Sequence, residues 1–196
     1  MKRVVPTGKS MLLVLVAVVS GCGYNAIVGA DEEVKAAWAQ VENVYQRRAD
    51  LVPNLVATVK GSAAHEQQTL AAVAQARAEA TQLKLNVGDL GDAAKLKAFE
   101  QAQGQLSQSL MRLLAVSERY PDLKANANFA DLQSQLEGTE NRITVERRRY
   151  NEAVQRYNTQ VRMFPWLIIA KLFGFTAREP FHATSIGAER APEVKF

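Results

Sequence analysis

Cysteine is almost absent from this sequence: 196 residues carry one, Cys22. A single thiol excludes an intrachain disulfide and supplies too little sulfur for a zinc cage. Histidine is nearly as scarce, with two residues, His65 and His182. His65-Glu66 begins like a zincin motif, but that motif needs a second His four positions after the first, and position 69 is Thr. There is no GxSxG, no GxGxxG and no phosphate-binding loop. Glu66, Glu140 and Glu146 could converge between helices as carboxylates do in di-metal bundles, yet the Glu-x-x-His pairs of such sites are missing. Catalytic residues, metal and cofactor are therefore all expected to be none. Pro (6) and Gly (11) are few, and no segment alternates apolar and polar residues with period two. A sheet has nothing to be built from.

The excess of positive charge is also less than it looks. The formal net charge is +4, but Lys2, Arg3 and Lys9 all precede a greasy run and no acid occurs in residues 1–21. Without that segment 21 basic side chains face 20 acidic ones. A nearly neutral body has no long-range pull on nucleic acid, so that partner class is excluded.

The cysteine ends the run LLVLVAVVSGC. Positive charges, an apolar stretch from Met11 to Val19 and the small pair Ser20-Gly21 have the order of a secretory signal. The run is about half the ~20 residues that a membrane-spanning helix requires. Val19-Ser20-Gly21-Cys22 resembles the bacterial lipobox, in which cleavage precedes a cysteine that is then acylated. A thiol committed to lipid needs no protein partner, which explains its isolation. The sequence thus divides into a lipoprotein-type signal (1–21), a lipid anchor at Cys22 with a short linker (22–30) and a body (31–162). The body lies outside the cytoplasm, at the cell membrane or outer membrane, because the cations come before the run and Asp31, Glu32 and Glu33 after it. The alternative is an uncleaved signal anchor at the inner membrane, single-pass.

What the body has is helical spacing. Val34, Trp38, Val41, Tyr45, Val52, Leu55 and Val59 form one stripe, which Pro53 should kink or break. Gly61-Ser62 is a second weak point, with Ser62 an eligible cap. Leu70 and Val73 continue the pattern to Leu83, NVGDLGD interrupts it at 86–92, and Leu96, Phe99, Leu106, Leu110 and Leu113 restore it. After Tyr120-Pro121 a loop offers Asn126 or Asn128 as a cap, and Phe129, Leu132, Leu136, Ile143, Tyr150, Val154, Tyr157 and Val161 mark the last long helix. Helices of about 25–35 residues give rods of roughly 40–50 Å. The expected fold is all-α, an elongated antiparallel bundle, with four helices if Gly61 is a turn and three if the first helix is long and merely kinked.

Polar residues interrupt these stripes. Arg47, Arg48 and Asp50 on one helix, and Glu140, Asn141 and Arg142 on another, occupy or flank interior positions. They either fix register as ion pairs or face a groove that receives a partner. Tyr150-Asn151 and Tyr157-Asn158 are seven apart, with core rings whose polar tips reach a neighbour. MFPWLIIAKLFGF, residues 163–175, is either a cap folded over the bundle or a membrane-surface segment, with Trp166, Phe173 and Phe175 dipping into lipid. In four-helix geometry it returns to the anchored end. Residues 176–196 read as an extended tail, partly bound to the bundle.

Several blocks carry a family resemblance. GYNAIVGADEEVKAAWAQVENVYQRRADLVPNLVATVKGSAAHE and RYPDLKANANFADLQSQLEGTENRITVERRRYNEAVQRYN resemble the two main blocks of the LemA family of bacterial membrane-associated proteins. The match covers nearly all of residues 23–162, although Ser62 stands where the family often has an aromatic. The resemblance implies N-terminal anchoring and a helical bundle outside the cytoplasm, and supplies no defined chemistry. The functional expectation is a non-enzymatic scaffold or adaptor of the cell envelope, whose partners are membrane lipid and either other envelope proteins or itself. A sensor or auxiliary subunit binding another membrane protein, such as a protease, is the alternative, and an uncharacterised enzyme is third.

Overall fold

The computed structural model describes residues 8–182, with side chains from residue 23 onward. The Cys22 side chain and residues 183–196 of the expected tail lie outside the described residues. Among the described residues there are six α-helices and no strand: α1 (Gly8–Ser62), α2 (Gln67–Gln82), α3 (Ala93–Val116), α4 (Pro121–Lys124), α5 (Ala127–Arg162) and α6 (Trp166–Phe173).

The four long helices alternate in direction. Trp38 meets Tyr150 and Arg48 meets Glu140, so α1 and α5 are antiparallel. Gln103 reaches Ala80 while Tyr120 reaches Glu66, which sets α3 antiparallel to α2. Gly61 thus lies in the last turn of α1, after which the chain turns back into α2. At 1.5 Å per residue the 55 residues of α1 span roughly 80 Å.

Three local expectations need correction. Residues 23–30 are not a linker: they are helical and continuous with the body, and Ile27 and Ala30 are buried in the core. Ser62 caps nothing, being the last residue of α1, and Glu66 occupies the N-cap position of α2. Pro53 neither ends nor divides α1. A proline there leaves the carbonyl of Ala49, four residues earlier, without its helical donor. That oxygen accepts instead from Arg77 Nε of α2 at 2.8 Å, so a neighbouring helix replaces the lost bond. Other signals act as read. Asn126 caps α5 by accepting from the amides of Asn128 and Phe129, and Asp92 does the same for α3.

The core has two halves. The distal half packs Val52, Leu55 and Val59 of α1 against Leu70 and Val73 of α2, Leu106 to Val116 of α3, and Phe129 and Leu136 of α5. The half nearer the N-terminus gathers Ile27, Val34, Trp38 and Tyr45 with Phe99, Tyr150, Val154, Tyr157 and Phe181. The sixteen-residue α2 is too short to line this second half. Its place is taken by Leu85 and Leu90 of the 83–92 connection and by the chain after α6.

Candidate functional site

Three polar centres tie the helices together, and each is built around an arginine. Arg48 is 1% exposed, the least natural place for a charge unless its donors are matched. One guanidinium nitrogen donates to Ser107 Oγ at 2.6 Å and to Glu140 Oε1 at 2.8 Å. The other donates to the carbonyl of Gln103 at 3.3 Å and to Gln103 Oε1. Gln103 in turn donates its amide to the carbonyl of Ala80 at 3.1 Å. One buried cation therefore links α1, α3 and α5 directly and α2 through Gln103. Arg48 also lies 5.1 Å from the ring centre of Tyr45, whose phenol burial pushes above its ordinary pKa.

The second centre is Glu100, 6% exposed on α3. It accepts from Arg147 of α5 at 2.8 Å and from the backbone N–H of His182 at 3.0 Å. Arg147 also donates to the carbonyl of His182 and stacks over Phe181 at 4.6 Å. In the third centre Arg178 donates to Asp31 of α1 at 3.0 Å and to the carbonyl of Val87 at 3.2 Å.

The last two centres hold a strap. Residues 176–182 run extended along α5, and two asparagines clamp them. Asn158 donates to the carbonyl of Arg178 and accepts from its N–H, both at 2.8 Å. Asn151 does the same for Phe181, at 3.0 and 2.8 Å. Seven helical residues rise about 10.5 Å and three extended ones about 10 Å, so the two ladders match in register. Tyr157 and Tyr150 donate their hydroxyls to the carbonyls of Thr176 and Glu179. Desolvation pushes both phenols above their ordinary pKa, more strongly at Tyr150. Phe181 then stacks on Trp38 and meets Tyr150 edge-on.

Of the expected polar cluster, only Arg48 and Glu140 come together. Arg47, Asn141 and Arg142 are exposed on outer faces. Asp50 is exposed as well and accepts from Gln46. Flanking an interior position on a helix moves a residue about 100° round the axis, which is enough to carry it outside. Gln103, Ser107 and Glu100 were not singled out, because Gln, Ser and Glu among alanines read as a solvated face. The paired Tyr-Asn doublets were the visible trace of the strap.

Beside the Arg48 centre an open cleft of about 380 Å³ runs between α3 and α5, reaching Glu100, Gln108, Met111 and Thr144. A side chain at Gly104 would meet nothing within 4 Å there. Ser107 is a hydroxyl in this cleft, as are Thr144 and Tyr45, but Glu140 beside Ser107 is committed to Arg48 and no histidine is among the lining residues. Among the described residues no three His, Cys, Asp or Glu side chains are grouped to hold a metal.

The model of the LemA family matches residues 37–196. The chain belongs to the LemA family. It is also similar to the magnetosome protein MamQ of Magnetospirillum gryphiswaldense, 28% identical over 180 residues, with 84% of this chain and 66% of that protein covered. The magnetosome protein MamQ 2 of Paramagnetospirillum magneticum is 29% identical over the same span and coverage. The chain thus spans a little under two thirds of these relatives' length. Neither the family description nor these names denotes an enzyme. Within this LemA-family bundle the polar centres are ties between elements: the terminal guanidinium nitrogens of Arg48 and Arg178 donate to carbonyl, carboxylate or hydroxyl oxygens on other elements, while the buried Nε of each makes no hydrogen bond.

The membrane-contact residues expected in the 163–175 segment divide. Trp166 and Phe175 are partly buried against the core, and Phe173 is 58% exposed. Trp166 and Ile169 press on the backbone of α1, where a Cβ at Gly23 would lie 2.6 Å from each. The segment therefore sits at the N-terminal end of the bundle. Among the described residues no helix is long and apolar enough to cross a membrane.

Proposed function

We propose that this LemA-family chain is a non-enzymatic, membrane-anchored scaffold or adaptor of the bacterial cell envelope, with its bundle outside the cytoplasm. The observation that carries the reading is α1, whose helix continues from Gly23, next to Cys22, into the bundle core without a hinge. Whatever holds Cys22 at a lipid surface also orients the rod. Acylation at Cys22 is the anchor the lipobox-like residues support, with several acyl chains giving retention that a single chain does not. The arginine centres favour a rigid body over a catalyst, because the terminal nitrogens of Arg48 and Arg178 and the carboxylates of Glu140, Glu100 and Asp31 are spent on ties between elements. The relatives' names denote a cellular structure, the magnetosome, and not a reaction.

A second reading is an auxiliary subunit that receives part of another membrane protein, for example a protease. The open α3–α5 cleft favours it, since a bound segment there would reach Met111, 62% exposed, and the polar edge of the Arg48 centre. Purification of the native chain in mild detergent tests both. A homo-oligomer supports the scaffold, a stoichiometric partner the auxiliary subunit, and a lone monomer argues against both. Fatty-acid labelling of the wild type and of Cys22→Ser tests the anchor. Label that persists without the thiol rejects acylation there and leaves the uncleaved signal anchor.

A further inference from the structure

We propose that α6 is a second membrane contact, lying flat on the lipid surface beside the anchored end of α1. This rests on the anchor reading above and adds a site to it. The helix WLIIAKLF has apolar residues on every side and one charge, Lys171. Such a helix is stable only when covered all round. Here its inner face is covered: Ile169 and Ala170 are buried, and Trp166 rests on the Gly23 backbone. Its outer face is not. Ile168 is 60% and Leu172 76% exposed, four residues apart on one ridge that Phe164, 79% exposed, extends through the preceding turn. Phe173, with its ring 4.9 Å from that of Tyr24, joins the ridge to α1.

Position and charge choose lipid as the cover. Cys22, the acylated residue of the anchor reading, directly precedes Gly23, on which Trp166 and Ile169 rest. Lipid that receives its acyl chains reaches the level of α6. Neither chain segment at this end carries an acid: none occurs in residues 1–30, and none between Glu152 and Glu179. Arg162 and Lys171, both exposed, flank the apolar ridge where headgroups would lie. Lysine stems that cover apolar surface while their ammonium groups reach phosphate suit an interfacial helix. Gly23 is what allows the close approach, because any side chain there would lift α6 from α1. Two contacts, the anchor at Cys22 and the α6 ridge, would fix the tilt of the rod as well as its depth.

The test uses the native full chain in vesicles of phosphatidylethanolamine and phosphatidylglycerol containing a phospholipid with a diazirine acyl chain. After photolysis and tryptic digestion, adducts should map to the N-terminal peptide that holds Cys22 and to the peptides Met163–Lys171 and Leu172–Arg178, and be absent from α3. With both Ile168→Asp and Leu172→Asp, whose sites are exposed and leave the helical circular dichroism unchanged, adduct yield on those two peptides should fall roughly tenfold or more while the N-terminal yield stays. Adducts confined to the N-terminal peptide that holds Cys22 overturn the α6 contact and leave the anchor standing. Cross-links from α6 to a second copy in place of lipid overturn it too. A chain that fails to float with the vesicles removes the anchor reading and this inference together.

Discussion

Replacing Arg77 by methionine isolates a single hydrogen bond whose value the structure lets one estimate. Ala49 is 4% exposed, and its carbonyl has lost its helical donor to Pro53. Arg77 Nε supplies a substitute at 2.8 Å. Methionine keeps the apolar stem and removes the donor, so the carbonyl is left buried and unpaired at a cost of about 2 kcal/mol. For a chain of this size that lowers the thermal midpoint by about 4–8 °C. The partner change is Pro53→Ala, which restores an amide four residues beyond Ala49. In that background Arg77→Met should cost less than about 0.5 kcal/mol, because the helix again satisfies its own oxygen. Four melts of the full chain in detergent, followed by helical circular dichroism, give the coupling. An equal penalty in both backgrounds would refute the idea that Arg77 compensates for the proline.

The remaining predictions concern the other ties. Arg48→Met should destabilise by about 2–3 kcal/mol in denaturant unfolding, below the figure for a fully buried ion pair because Glu140, with its side chain 39% exposed, can rehydrate. Adding Gln103→Leu should recover none of the loss, because it removes one stranded side-chain oxygen but takes the donor from the Ala80 carbonyl. Asn151→Ala with Asn158→Ala removes four bonds to the strap and should speed amide exchange in residues 176–182 by roughly a hundredfold, leaving α2 and α3 unchanged. Tyr150 makes stability fall at alkaline pH. Burial raises its folded-state pKa above the ordinary 10.0, so its contribution is complete below that pH and is lost as pH climbs towards the raised value. Tyr150→Phe should flatten the alkaline limb of a stability–pH profile, at the expense of the bond to Glu179.

Most of the fold is written in local spacing. The stripes from Val34 to Val59 and from Phe129 to Val161 name the residues that are buried, and Asn126 caps where its type and place suggest. What sequence reading lost were effects with distant causes. Pro53 signals a break until a side chain from another helix supplies the missing partner. Residues 23–30 look like a spacer after a signal, yet Ile27 and Ala30 bury against residues far along the chain. The strap has no periodicity to find, since an extended segment held by asparagine side chains obeys no helical repeat. Of the polar cluster, the Arg48–Glu140 pair was legible as charge on an apolar face. Gln103 was not, because its burial depends on how α2 and α3 meet.

The strap also sets an order of assembly. Every side chain of the distal core has been made once Leu136 emerges, so that half can close while synthesis continues. The other half waits for Phe181 to cover Trp38. A chain that stops at residue 175 would have all of its long helices and an aromatic wall left open to water, at the N-terminal end of the bundle.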